Sequence, residues 1–116
     1  MKFFPATALA SMLGMWGSVA SAQIDVLPVT FTCENGTPLE VIFFNATDGA
    51  SAAAMLVDNR LIALEQTISG SGIQYRSSGP GGSYVLRSKG WDATVSYLAA
   101  GDAASEQVVL SDCSSR

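Results

Sequence analysis

Two cysteines, a serine- and glycine-rich run and a single lysine outside the first residues carry most of the reactive chemistry in this chain, because histidine is absent. Without an imidazole there is no Ser-His-Asp or Cys-His arrangement, and no side chain whose ordinary titration falls near neutral pH. Neither serine of Ser69-Gly70-Ser71-Gly72 has glycine at both the −2 and +2 positions that a nucleophile elbow needs. Gly70-x-Gly72-x-x-Tyr75 ends in tyrosine, where a dinucleotide fingerprint requires glycine or alanine. The ten acids are scattered without calcium-loop spacing, and no pair among them stands out as a glycosidase dyad. No metal and no cofactor is expected, and the chain is not expected to be an enzyme.

The compartment decides what Cys33 and Cys113 do. Lys2 precedes an uncharged apolar stretch that ends in Val19-Ala20-Ser21-Ala22, with small residues at the −3 and −1 positions of a signal peptidase site. Pro5, Gly14 and Gly17 interrupt that stretch, which suits a cleaved signal better than a membrane span. Cleavage before Gln23 is expected, leaving a soluble, exported 23–116 domain with no membrane insertion. No cysteine stands directly after the cut, so a lipid anchor is not expected. In an oxidising compartment, two cysteines 80 positions apart with no histidine nearby read as a disulfide rather than a metal site or free thiols. Loss of Lys2 leaves five cations against ten acids, 5 − 10 = −5. An acidic chain without a basic face does not suit nucleic acid.

The remaining residues form one domain with one core. Turn residues recur every six to ten positions, and the segments between them are rich in Val, Ile, Leu, Phe and Tyr, a pattern of short strands. Strands are expected over Val29–Cys33, Leu39–Asn45, Ala53–Val57, Leu61–Thr67, Ile73–Ser77, Tyr84–Ser88, Thr94–Ala99 and Gln107–Cys113. Eight short strands with short turns run as an antiparallel meander, which removes both of its edges by closing into a small β-barrel. The fold class is therefore all-β, an eight-stranded antiparallel barrel. Leu39, Val41 and Phe43 form the cleaner apolar face of their strand and should point inward, and the three phenylalanines of the domain, Phe31, Phe43 and Phe44, should belong to the core. Ala52-Ala53-Ala54-Met55-Leu56 has helix propensity, so a helical turn is expected to compete within 46–56.

Ser69-Gly70-Ser71-Gly72-Ile73-Gln74-Tyr75 and Arg87-Ser88-Lys89-Gly90-Trp91-Asp92-Ala93 are similar to the paired motifs S-x-S-G-x-x-Y and W-x-K-G-x-E-A of the c-type lysozyme inhibitors known as MliC and PliC. Thr32-Cys33-Glu34-Asn35-Gly36 before them and Val108-Val109-Leu110-Ser111-Asp112-Cys113 after them extend the resemblance over 30–113. It implies an eight-stranded barrel whose two loops enter a lysozyme's active-site cleft. Ser71 and Lys89 correspond to the family residues that meet the catalytic carboxylates, Tyr75 matches the motif tyrosine, and Gly72 and Gly90 flank the two contact residues. The implied partner is a c-type lysozyme, and the absence of a lipid-anchor cysteine fits the periplasmic branch; a homodimer is compatible with the sequence.

Chemistry and motif agree. A lysozyme cleft pairs a protonated carboxylic acid with an ionised carboxylate, which a hydroxyl and an ammonium can meet. This chain departs from the motifs in two ways. Arg87 stands where the pattern has tryptophan while Trp91 lies four positions later, and the segment 76–83 between the motifs is longer than in the pattern. An alternative function is a small ligand-binding barrel of the cell envelope, with Tyr75, Tyr84 and Trp91 lining an apolar cavity under glycine-rich loops.

Overall fold

Strand-forming residues set between turn formers produce eight strands in the computed structural model, which describes residues 23–67, 72–101 and 105–116. The expected signal segment 1–22 lies outside the described residues, as does Ser71. In chain order the strands are β1 (Ile24–Thr32), β2 (Pro38–Ala46), β3 (Ser51–Val57), β4 (Arg60–Thr67), β5 (Ile73–Arg76), β6 (Gly82–Lys89), β7 (Asp92–Ala99) and β8 (Glu106–Ser114). A short 3-10 turn at Glu34–Gly36 links β1 to β2. Each strand pairs antiparallel with the next, and β1 meets β8 to close the barrel. All eight expected strands are present. The helical turn is not: 51–57 is fully extended, because Ala53, Met55 and Val57 alternate as buried residues in a strand held between β2 and β4. Tertiary pairing outweighs alanine's helix preference there.

The period of two sorts the side chains. Leu39, Val41 and Phe43 of β2 point inward at 0%, 1% and 9% exposure. They pack in one cluster with Phe31, Met55, Leu64, Leu86 and Val95. Phe44 is not part of this core. It falls on the opposite face of β2, half-buried, opposite Val26 and Ala52. The alternation that sends Phe43 in must send Phe44 out.

Closure is slight along the chain but covalently fixed. β1 follows β2 for nine paired residues, whereas only Thr32 opposite Ser114 joins β1 to β8. Over most of its length β1 is therefore an edge strand, which is where a strand can hold Pro28 without losing a ladder hydrogen bond. Immediately beyond the single β1–β8 pair, Cys33 and Cys113 form the expected disulfide. The Ser111 hydroxyl also donates to a Glu34 carboxylate oxygen at 2.7 Å across the same seam.

Turn chemistry sets the remaining geometry. Asp58 and Asn59, both at positive φ, make the two-residue connection of β3 to β4 that matches strand twist. At Gly82, φ is +140°, and a Cβ there would lie 2.6 Å from Oη of Tyr97 and 2.7 Å from the Leu98 carbonyl. Both neighbours are fixed, since the Tyr97 hydroxyl donates to the Gly81 carbonyl at 2.8 Å and Leu98 belongs to the ladder. Gly82→Ala is expected to destabilise the fold by about 2 kcal/mol or more, through overlap and backbone strain together. Urea unfolding measures this, and a change below about 0.5 kcal/mol would contradict so close an approach.

Candidate protein-binding site

The two motif segments meet because β5 and β6 are antiparallel neighbours. The connection from β4 enters β5 at Ile73, and Ile73 lies opposite Ser88, one residue before Lys89 at the end of β6. A Cβ on Gly72 would stand 3.9 Å from the Ser88 carbonyl. Gly72, Ile73, Lys89 and Asp92 surround a shallow depression of about 140 Å³ at this end of the barrel. Ile73 is 48% exposed and Lys89 is exposed as well. Among the described residues the one ion pair is Arg87–Glu106, so Lys89 has no carboxylate partner among them.

The Lys89 turn is built to project. Lys89 and Asp92 face each other in register, with Gly90 and Trp91 as the two central residues. Gly90 has φ +60°, the conformation that a type II′ hairpin requires at its first central position.

Tyr75 lies in the core rather than on the surface. It is 2% exposed, with its ring 5.5 Å from that of Phe43. Its hydroxyl shares a 2.8 Å hydrogen bond with Ser51, whose Oγ donates to Asn45 Oδ1 at 2.7 Å. The motif tyrosine thus ties β5 to β3 and, through Ser51, to β2. Sequence pattern alone does not separate such a role from binding, because an inward position on a four-residue strand shows no alternation to read.

The departures from the motif have local explanations. Arg87 sits on the outer face of β6 and makes a bidentate pair with Glu106, both hydrogen bonds at 3.0 Å, which joins β6 to β8 across β7. The indole is displaced to the turn: Trp91 is 58% exposed, its carbonyl accepts from the Ser115 amide at 2.9 Å, and the Arg116 guanidinium lies 5.8 Å from its ring centroid. The longer segment 76–83 lies at the other end of β6, where Ser77 and Tyr84 exchange hydrogen bonds. The Ile73–Ser88 pairing, at the Lys89 end of β6, lies away from it.

The aromatic residues of the alternative are not gathered in one cavity. Tyr84 and Tyr97 line an open groove of about 730 Å³ with Arg60, Leu61 and the 77–82 segment. Tyr75 is in the core and Trp91 lies at the opposite end of β6.

The described strands define the class of small closed antiparallel barrels, here with a lysine-bearing hairpin turn at one end. The family model described as "MliC: Membrane-bound lysozyme-inhibitor of c-type lysozyme" matches residues 31–104. The chain is 30% identical over 102 residues to the membrane-bound lysozyme inhibitor of C-type lysozyme of Cupriavidus necator, across 80% of this chain and 78% of that protein. Among solved structures it is similar to PliC-St, the periplasmic lysozyme inhibitor of C-type lysozyme from Salmonella typhimurium, with a TM-score of 0.67 and 27% identity. That similarity covers 79% of this chain and 99% of the other. The chain belongs to the MliC family.

Proposed function

We propose that this protein inhibits a c-type lysozyme by occlusion, inserting the Ser71 loop and the Lys89 turn together into the enzyme's cleft. The observation that carries the reading is the adjacency of Gly72 and Ser88, the direct chain neighbours of the two contact residues, where β5 pairs with β6 at one end of the barrel. The Ser71 hydroxyl would hydrogen-bond the protonated catalytic acid, and the Lys89 ammonium would face the ionised carboxylate. Gly72 and Gly90 keep the two tips slim enough to enter. A partly desolvated ammonium–carboxylate contact contributes far more than a surface ion pair. The mature charge of −5 would speed encounter with a basic enzyme at low salt.

The same reading has the chain exported, cleaved before Gln23 and soluble in the periplasm. The relatives named above are inhibitors, one called membrane-bound and one periplasmic. Among the described residues no helix is long and apolar enough to cross a membrane.

Turbidity loss of bacterial walls under a c-type lysozyme, titrated with the purified protein, tests the proposal, with invertebrate-type and goose-type enzymes run alongside. Near-stoichiometric suppression of the c-type enzyme is expected. Undiminished lysis at excess protein would rule the reading out.

A further inference from the structure

The motif W-x-K-G-x-E-A leaves the residue after its glycine unspecified, and in this chain that position is Trp91. A surface tryptophan on a hairpin tip is normally costly to leave in water, and this one is held in place rather than folded away. The Ser115 amide and hydroxyl both donate to its carbonyl, at 2.9 and 3.3 Å, and Arg116 lies against its ring. The strap on the turn is short and local: Ser114, the last residue of β8, is opposite Asp92, so the chain leaves the barrel directly beneath the hairpin. The result is an indole more than half exposed, fixed at its backbone, two residues from Lys89 and accompanied by a second cation.

We infer that Trp91, positioned by Ser115 and Arg116, is a third anchor of the inhibitory surface. This rests on the occlusion reading above. A cleft that accepts pyranose rings must meet their flat apolar faces, and an exposed indole offers a flat apolar face of the same kind. Tryptophan and arginine are the residues most enriched among energetically dominant interface positions. A ring on a tied backbone, with few rotatable bonds of its own, also loses little conformational freedom on binding. Arg116 serves twice: its guanidinium steadies the indole by a cation–π contact, and it brings a second positive charge to a surface that faces an acidic groove. Lys89 supplies charge to the centre of the cleft, and Trp91 supplies apolar area beside it.

The test uses the full chain labelled with 5-fluorotryptophan, together with the variants Trp91→Ala, Arg116→Ala and Lys89→Ala. The chain has two tryptophans, and the fluorine resonance absent from a Trp91→Phe sample belongs to Trp91. Addition of unlabelled c-type lysozyme is expected to shift that resonance and shield it from a soluble gadolinium chelate. Trp91→Ala is expected to weaken inhibition about 30-fold, the level that marks a dominant contact, and Arg116→Ala about threefold to fivefold. If Trp91→Ala inhibits like the parent and the resonance stays accessible while Lys89→Ala loses inhibition, the third anchor is wrong and two-loop occlusion stands. If the parent itself does not inhibit, both fall. Should Trp91→Ala lose its fold, the accessibility of the labelled parent alone decides.

Discussion

Replacing Cys33 and Cys113 by serine is expected to remove about 4 kcal/mol of stability. In the chain-entropy model this follows from opening a loop that spans a sequence separation of 80 residues. Domains of this size hold only about 5–15 kcal/mol in total, so the melting midpoint should fall by roughly 15–30 °C. The structure makes the loss larger in consequence than in amount. One residue pair, Thr32 with Ser114, is all the ladder that joins β1 to β8, so the disulfide is the main bond across the seam. Both cysteines are almost fully buried, and serine hydroxyls there would need partners that the apolar core lacks. Cys113 lies opposite Ala93, directly below the Lys89 turn, so inhibition should decline along with stability. Calorimetry of the double variant beside the parent measures the effect. A midpoint within a few degrees of the parent would mean that strand pairing and core packing close the barrel unaided.

The second large effect concerns binding and should leave folding alone. Ser71→Ala and Lys89→Ala are each expected to weaken inhibition by about 1–4 kcal/mol, the range for central polar anchors, which corresponds to about tenfold to a thousandfold. The Lys89 side chain is on the surface and carries no ion pair among the described residues, so its loss should move thermal unfolding very little. The two effects should not simply add, because both residues would enter one cleft and share neighbouring carboxylates. Inhibition constants from wall-lysis kinetics give the numbers. A doubly substituted protein that inhibits as well as the parent would remove both residues from the mechanism. Raising the salt concentration should slow association more than it speeds release, since long-range attraction acts on encounter.

The strands were legible because their signal is local. Val, Ile, Leu, Phe and Tyr in short runs, broken by Asp58-Asn59, Lys89-Gly90 and the other turn pairs, declare eight segments without reference to the rest of the chain. Where local preference and tertiary context disagree, context prevails, as the alanines of β3 show. The reach of β1 back to Ile24 was also hidden, since Pro28 argues against a strand until it is clear that the strand is an edge. Tyr75 and Trp91 are the instructive pair at the candidate site. The motif tyrosine turned out to be a core residue, while a tryptophan outside its motif position is exposed on the turn. Residue type could not separate them, because burial depends on which face of a strand or turn the residue occupies.

Composition and order of residues alone were sufficient for several conclusions: no histidine-based catalysis, an all-β meander, the Cys33–Cys113 pairing, and two motifs that mark the Ser71 loop and the Lys89 turn. These depend on what a residue is and on what lies a few positions away. Only the folded barrel could bring Gly72 and Ile73 beside Lys89, bury Tyr75, tie Arg87 to Glu106 and set Ser115 and Arg116 against Trp91. Each of those relations joins residues far apart in sequence or depends on which way a side chain points. Both are settled by strand register and closure, which no short stretch of chain encodes by itself.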